Sequence, residues 1–120
     1  MNYFFDSYAI IEIINQNKSY EKFMNHLIIT NSLNLGEVYF YLLKIHNKQT
    51  ADFWINKLNV EIIDISLEDS LKASLFRYEN KKKNLSYADC IGYIAALKKG
   101  FVFLTGDKQF ENLENVEFVK

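Results

Sequence analysis

Apolar residues in this chain fall into short continuous runs, separated by longer stretches in which they recur every three or four positions. Tyr3-Phe4-Phe5 is an aromatic run that stops at an acid, Asp6, and has the shape of a buried strand. From Ser7 the period lengthens: Ile10, Ile11, Ile13 and Ile14 around Glu12 predict a short helix, which Asn15-Gln16-Asn17-Lys18 breaks. Tyr20 to Leu27 reads as a second helix with Ser19 as its N-cap. The β-branched Ile28-Ile29-Thr30 predicts a strand. Asn34 to Leu43 predicts a buried helix, Gln49 to Leu58 a further one, and Val60 to Ile65 a strand. Ser66 opens a helix with Leu71, Leu75 and Tyr78 at helical spacing, and Lys81-Lys82-Lys83-Asn84 is a solvated break. Ser86 to Lys98 is the clearest helix, with cations in its last turn and Gly100 just past its end. Phe101 to Leu104 predicts a buried strand, and Val116 to Val119 a terminal one. Strands alternate with helices, so a small, mostly parallel sheet built through βαβ crossovers is expected, in one α/β domain spanning residues 1–120.

Composition narrows the class. Hydrophobic residues at 49% and charged residues at 24% are ordinary globular values and argue against disorder. The single cysteine, Cys90, excludes an intrachain disulfide and a multi-cysteine zinc site, and the two histidines, His26 and His46, lie far apart with no cysteine nearby. Cys90 reads as a small buried residue rather than a nucleophile. No cationic stretch precedes the first apolar run, so no secretory leader is expected, and no run approaches the roughly 20 residues of a membrane helix. A cytoplasmic protein is the expectation. Fourteen Lys and Arg against fifteen Asp and Glu leave a net charge of −1, which at first sight disfavours a nucleic-acid partner.

Four acids stand where such a fold collects chemistry. Asp6 follows the first strand, Asp107 follows the strong late strand after Thr105-Gly106, and Glu37 and Asp89 are placed in the first turns of their helices. Sites in parallel α/β sheets form outside the carboxyl ends of the strands, where strand ends meet helix starts. Each acid also has a local explanation. Asp6 and Asp107 can cap helices, and Asn34-x-x-Glu37 and Ser86-x-x-Asp89 have the spacing of capping pairs. Lys81-Lys82-Lys83 is a solvated loop or a phosphate contact; Lys44, His46 and Lys48 are equally open.

The residues flanking the four acids resemble the PIN-domain family of metal-dependent ribonucleases, especially the VapC-like toxins of type II toxin–antitoxin pairs. The motifs are Phe4-Phe5-Asp6-Ser7, Leu35-Gly36-Glu37-Val38, the stretch from Ser86 through Asp89 to Ala96, and Phe103-Leu104-Thr105-Gly106-Asp107. Three positions depart from the family pattern: Tyr8 stands where Asn is common, Cys90 where Ala follows the acid, and Gly106 where a bulkier or basic residue is usual.

The resemblance implies a three-layer α/β/α fold. It also implies an all-oxygen Mg²⁺ or Mn²⁺ site in which Asp6, Asp89 and Asp107 form the inner group and Glu37 completes it. Ser7, Ser86 and Thr105 are then the hydroxyls expected to orient those carboxylates. RNA phosphodiester hydrolysis, an antitoxin partner and a homodimer follow from the same resemblance, with the helical region of Phe53 and Trp54 as a contact surface. A PIN domain that binds RNA or protein without cleaving is the alternative. A phosphatase that uses an Asp after its first strand wants a second Asp two residues later, where Tyr8 stands. A receiver domain wants an acid beside the first strand and a late Lys, and Lys108 lies on the wrong side of Asp107. Setting the four acids aside leaves 11 acids against 14 bases, a mildly basic body of +3 around an acidic pocket.

Overall fold

The apolar strand runs are continuous because both of their faces are covered. In the computed structural model, which describes residues 1–120, the strands are β1 (Tyr3–Phe5), β2 (Ile28–Thr30), β3 (Val60–Ile62), β4 (Val102–Thr105) and β5 (Val116–Phe118). All neighbouring pairs are parallel, in the order β3-β2-β1-β4-β5. Alternate residues of the central strands feed opposite cores. Phe4, Ile29 and Phe103 join one, and Phe5, Ile28 and Leu104 the other.

Five helices make the outer layers: α1 (Ser7–Ile14), α2 (Ser32–Ile45), α3 (Lys48–Lys57), α4 (Leu67–Glu79) and α5 (Tyr87–Lys99). Helices α4 and α5 cover the face of Phe4, while α1, α2 and α3 cover the face of Phe5. The result is the expected three-layer α/β/α fold, with a sheet that is parallel throughout rather than mostly so. Strand order runs outward from β1 in one direction through β2 and resumes on its other side with β4. The β1/β4 boundary is therefore a topological switch point, where the chain's crossovers leave a crevice at the carboxyl ends of the strands.

Several element boundaries differ from the sequence expectation. Residues Lys18–Phe23 form a 3₁₀ turn capped by Asn17, not an α-helix from Tyr20 to Leu27 capped by Ser19. The Asn17 side chain accepts the Ser19 N–H at 2.9 Å, and the tight turn carries both Tyr20 and Phe23 into the core. Helix α2 begins at Ser32 because Asn31 caps it, accepting the Asn34 N–H at 2.7 Å. Strand β3 spans only Val60–Ile62, although the Ile63 N–H still donates to the Thr30 carbonyl at 2.9 Å.

The Leu71, Leu75 and Tyr78 stripe is helical as expected but faces solvent, at 62%, 56% and 66% exposure. The buried side of α4 carries Ala73 instead, with Phe76 packed against the core. On α3, Trp54 packs against the core while Phe53 lies outside. The clearest expected helix holds its limits within a residue, capped by Ser86 and closed by Gly100 at φ 75°.

Candidate active site at the sheet edge

The site starts with a strand that ends in a helix cap. Asp6 is the first residue past β1, and its Oδ1 accepts the Ala9 N–H at 2.8 Å, closing the first turn of α1. Its other oxygen accepts a short hydrogen bond from the Thr105 hydroxyl, at the end of the neighbouring β4. Asp6 and Thr105 are both fully buried. Burial, then the charge of Asp89, pushes the Asp6 carboxyl well above its ordinary range, while the bonds from Thr105 and the Ala9 N–H pull the other way.

Thr105 also accepts the Asp107 N–H at 3.0 Å, so one hydroxyl ties the first acid to the loop carrying the last. Asp107 in turn caps the short turn Lys108–Phe110, accepting the Gln109 N–H at 3.0 Å. The capping explanation thus holds for Asp6 and Asp107, yet it occupies only part of each carboxylate. Capping spends one oxygen of Asp6 and one of Asp107.

Asp89 differs. Its N–H donates to the Ser86 Oγ at 3.0 Å, but its carboxylate does not return to the cap. The reciprocal capping box of this molecule is at Ser66 and Asp69. The Asp89 Oδ1 is buried with no hydrogen-bond partner. Burial, then the charges of Glu37 and Asp107, lifts its pKa to about 7, with the Ser86 hydroxyl opposing. An unpartnered carboxylate oxygen in such a place costs folding free energy, which a bound cation or a water would offset.

Glu37 comes from the second turn of α2, not the first, because the Asn31 cap moves the helix start back. It is exposed and accepts the Ser7 hydroxyl at 2.6 Å. That hydroxyl is also 2.7 Å from the Asn34 Oδ1, so its single proton serves one acceptor at a time. Of the three hydroxyls expected to orient carboxylates, Thr105 donates to Asp6 and Ser7 to Glu37, while Ser86 accepts the Asp89 N–H as a helix cap.

Asn34 is the residue that sequence reasoning misassigned. Instead of capping a helix, it lies fully buried on the stripe Asn34, Val38, Leu42. Its Oδ1 accepts the Ser7 N–H at 3.2 Å, and its Nδ2 reaches Asn31 Oδ1 at 3.2 Å and the Ala88 carbonyl at 3.4 Å. One amide thereby joins the starts of α1, α2 and α5. The signal available was a polar residue on a helical apolar stripe. Gly92 makes the approach of α5 possible, since a Cβ there would fall 2.6 Å from the Phe4 ring and 3.2 Å from the Asn34 Nδ2.

Two of the departures from the family pattern turn out to be one feature. A Cβ on Gly106 would run into the Tyr8 ring and the Val119 carbonyl. The bulky residue at position 8 and the absent side chain at 106 are complementary, and the ring fills the space above the Asp107 loop. Cys90, the third departure, is fully buried, and burial, then the Asp89 charge, pushes its thiol up to about 11.

None of the four acids is in a salt bridge: those of the molecule link Lys48 to Asp52, Lys72 to Glu68, and Lys98 to Glu68 and Asp69. Electrostatic coupling joins Asp6 to Asp89 and Asp107, and Asp89 to Glu37 and Asp107. The side chains do not close into a cage, as no three acidic, histidine or cysteine groups stand together in ligating positions. Charge coupling acts over longer distances than ligation, and four carboxylates without a counter-ion repel one another. The donor set, all oxygen with one orphaned buried oxygen at Asp89, suits a hard divalent cation.

The PIN domain family model matches residues 3–116. No curated protein matches the chain in sequence. Solved structures share its fold at low identity. The VapC20 toxin of Mycobacterium tuberculosis, described as cleaving the sarcin–ricin loop, superposes with a TM-score of 0.81 at 15% identity, covering 99% of this chain and 100% of that one. VapBC2 of Rickettsia felis, bound to a DNA fragment from its promoter, gives 0.76 at 20% identity over the whole of both chains. A toxin–antitoxin complex from Klebsiella pneumoniae gives 0.74 at 19% identity, covering 98% of this chain and 96% of that one. With the PIN domain model matched over residues 3–116 of its 120, the chain belongs to the PIN-domain family.

Proposed function

We propose that this chain is a Mg²⁺- or Mn²⁺-dependent endoribonuclease, the toxin of a toxin–antitoxin pair, acting as a single cytoplasmic domain over residues 1–120. The observation that carries the reading is the orphaned, buried oxygen of Asp89 beside the buried Asp6, with no lysine or arginine paired to either. Asp6, Asp89 and Asp107 would hold the cation, with Glu37 completing the set. When bound, a divalent cation supplies Lewis-acid polarisation of a phosphoryl oxygen and neutralises the crowded carboxylates.

The protein's own groups do the rest. Thr105 and the Ala9 N–H fix both oxygens of Asp6, so its orientation is set before substrate arrives. A carboxylate of the set that is left off the cation would orient or deprotonate an attacking water. Ser7 steers Glu37 at the solvent side, where a phosphodiester enters.

The toxin–antitoxin assemblies that share this fold support a protein antitoxin as partner, and a homodimer is proposed with it. Purified protein is expected to cleave RNA with Mg²⁺ or Mn²⁺ and to lose at least a hundredfold in rate as Asp6→Asn or Asp89→Asn. Equal cleavage by parent and both variants would refute the four-acid mechanism.

One observation favours a second reading, a PIN module that binds without cutting: the acids do not converge into a ligating cage. Isothermal titration separates the two. Saturable Mn²⁺ binding by the parent, lost in Asp89→Asn, supports the nuclease, while no saturable binding in folded protein supports the module.

A further inference from the structure

The largest cavity of the molecule, about 460 Å³, does not contain the acids. It lies between the end of α4 and the start of α5 and is lined by three cations, Arg77, Lys81 and Lys83, with Tyr78 and Tyr87 as aromatic walls over Leu85. No acid lines it, although acids outnumber bases in the whole chain. Its volume falls within the roughly 300–1,000 Å³ of small-ligand sites.

The cations are held in place rather than free on long stems. Arg77 donates through Nε to the Leu85 carbonyl at 3.1 Å, which leaves the terminal guanidinium nitrogens available. Lys81 lies over the Tyr78 ring, 4.8 Å from its centroid. Lys83 donates to the Gln109 carbonyl at 3.1 Å.

Both ends of the cleft connect to the acidic edge. Gln109 is the residue whose N–H Asp107 caps, and Leu85 precedes Ser86, which caps the Asp89 helix. The cleft is thus tied through Gln109 and Ser86 to the segments that carry Asp107 and Asp89.

We infer that the Arg77–Lys81–Lys83 cleft binds a nucleotide of single-stranded RNA flanking the scissile bond, its phosphate on the cations and its base against Tyr78 and Tyr87. The inference rests on the ribonuclease reading of the acidic edge. Cation-and-tyrosine lining is the chemistry that grips single strands without base-pair readout.

The test is binding of a fluorescent ten-nucleotide RNA in EDTA across a salt series, which needs no catalysis. Lys81→Ala and Tyr78→Ala remove exposed side chains and spare the Arg77–Leu85 bond, so the fold is kept. Lys81→Ala is expected to weaken binding about five- to tenfold and to lower the salt slope by about 0.7, one phosphate contact on a single strand. Tyr78→Ala is expected to weaken it about tenfold with the slope unchanged, and to bind an abasic strand like the parent does. Lys57→Ala, on the opposite layer, is the charge-matched control.

Equal effects of Lys81→Ala and Lys57→Ala, or no effect of Tyr78→Ala, overturn the proposal. So does displacement of the RNA from the parent, but not from Lys81→Ala, by a polyglutamate peptide, which would assign the cleft to an acidic protein segment. Cleavage by the parent with Mn²⁺ is read in parallel. A parent that never cuts but shows the binding pattern sinks the nuclease reading alone; one that cuts without the pattern sinks the cleft alone.

Discussion

Asp89→Asn is expected to stabilise the metal-free protein at neutral pH while abolishing its proposed activity. Burial and then the charges of Glu37 and Asp107 hold the folded Asp89 carboxyl at about 7, against about 3.9 in an unfolded chain. Three pH units at about 1.36 kcal/mol each amount to about 4 kcal/mol working against the folded state once the group is ionised. Solvent reaches one side of Asp89, which screens roughly half of this and leaves about 2 kcal/mol. For a chain of this size that is about 8 °C in Tm.

The sign follows from the direction of the shift. An acid with a raised folded pKa costs nothing below its unfolded pKa, and the cost grows as pH climbs from about 4 to about 7. Above that it is constant. Scanning calorimetry in EDTA should therefore show the variant melting about 8 °C above the parent at pH 8. At pH 5 the gap should shrink to about a third of that. Adding Mg²⁺ or Mn²⁺ should raise the parent's Tm and leave the variant's in place. A variant melting at or below the parent in EDTA at pH 8 would show that the Asp89 oxygen carries no such penalty.

Two further substitutions probe the scaffold of the site. Gly106→Ala should cost about 1–3 kcal/mol in urea denaturation, because its Cβ meets the Tyr8 ring and the Val119 carbonyl. Combined with Tyr8→Ala it should recover about half, and strict additivity in the double-mutant cycle would refute the packing described for this pair. Asn34→Ala should cost about 2 kcal/mol, since it leaves the buried-side Ser7 N–H without its acceptor and removes the bonds to Asn31 and Ala88 that tie the three helix starts. Asn34→Asp should cost more, because a further carboxylate would face the acceptors Asn31 Oδ1 and Ala88 O; thermal melts that put either variant within about 0.5 kcal/mol of the parent would remove Asn34 from the role of bridge.

The parts of the fold that sequence made legible are those set by local pattern. Phe4-Phe5 and Phe103-Leu104 read as strands because a doubly covered sheet wants apolar residues on both faces. Ser86 and Gly100 marked their helix because capping is a property of a few adjacent residues. What escaped depends on tertiary contact. Asn31 and Asn34 are both able to cap, and only the burial of Asn34 among Ser7, Asn31 and Ala88 decides which one does. Leu71, Leu75 and Tyr78 have the right period for a buried face, but Ala73 on the other side of α4 allows the closer approach to α5. The four acids were legible by the motifs around them, whereas the orphaned oxygen of Asp89 and the Tyr8–Gly106 fit arise between segments remote in the chain.

The pairing of β1 with β4 sets a schedule for synthesis. Tyr3, Phe4 and Phe5 take Val102, Phe103 and Leu104 as register partners, and the Asp6 carboxylate is oriented by Thr105. A growing chain makes that acid 99 residues before the hydroxyl that holds it. At about 5–20 residues per second, the roughly 100 residues between them take on the order of 5–20 s to add. Throughout that interval the nascent chain carries an unplaced carboxylate and no assembled edge. The edge is thus not assembled until the β4 segment has cleared the ribosome, and products truncated before it leave the Asp6 carboxylate without its Thr105 partner.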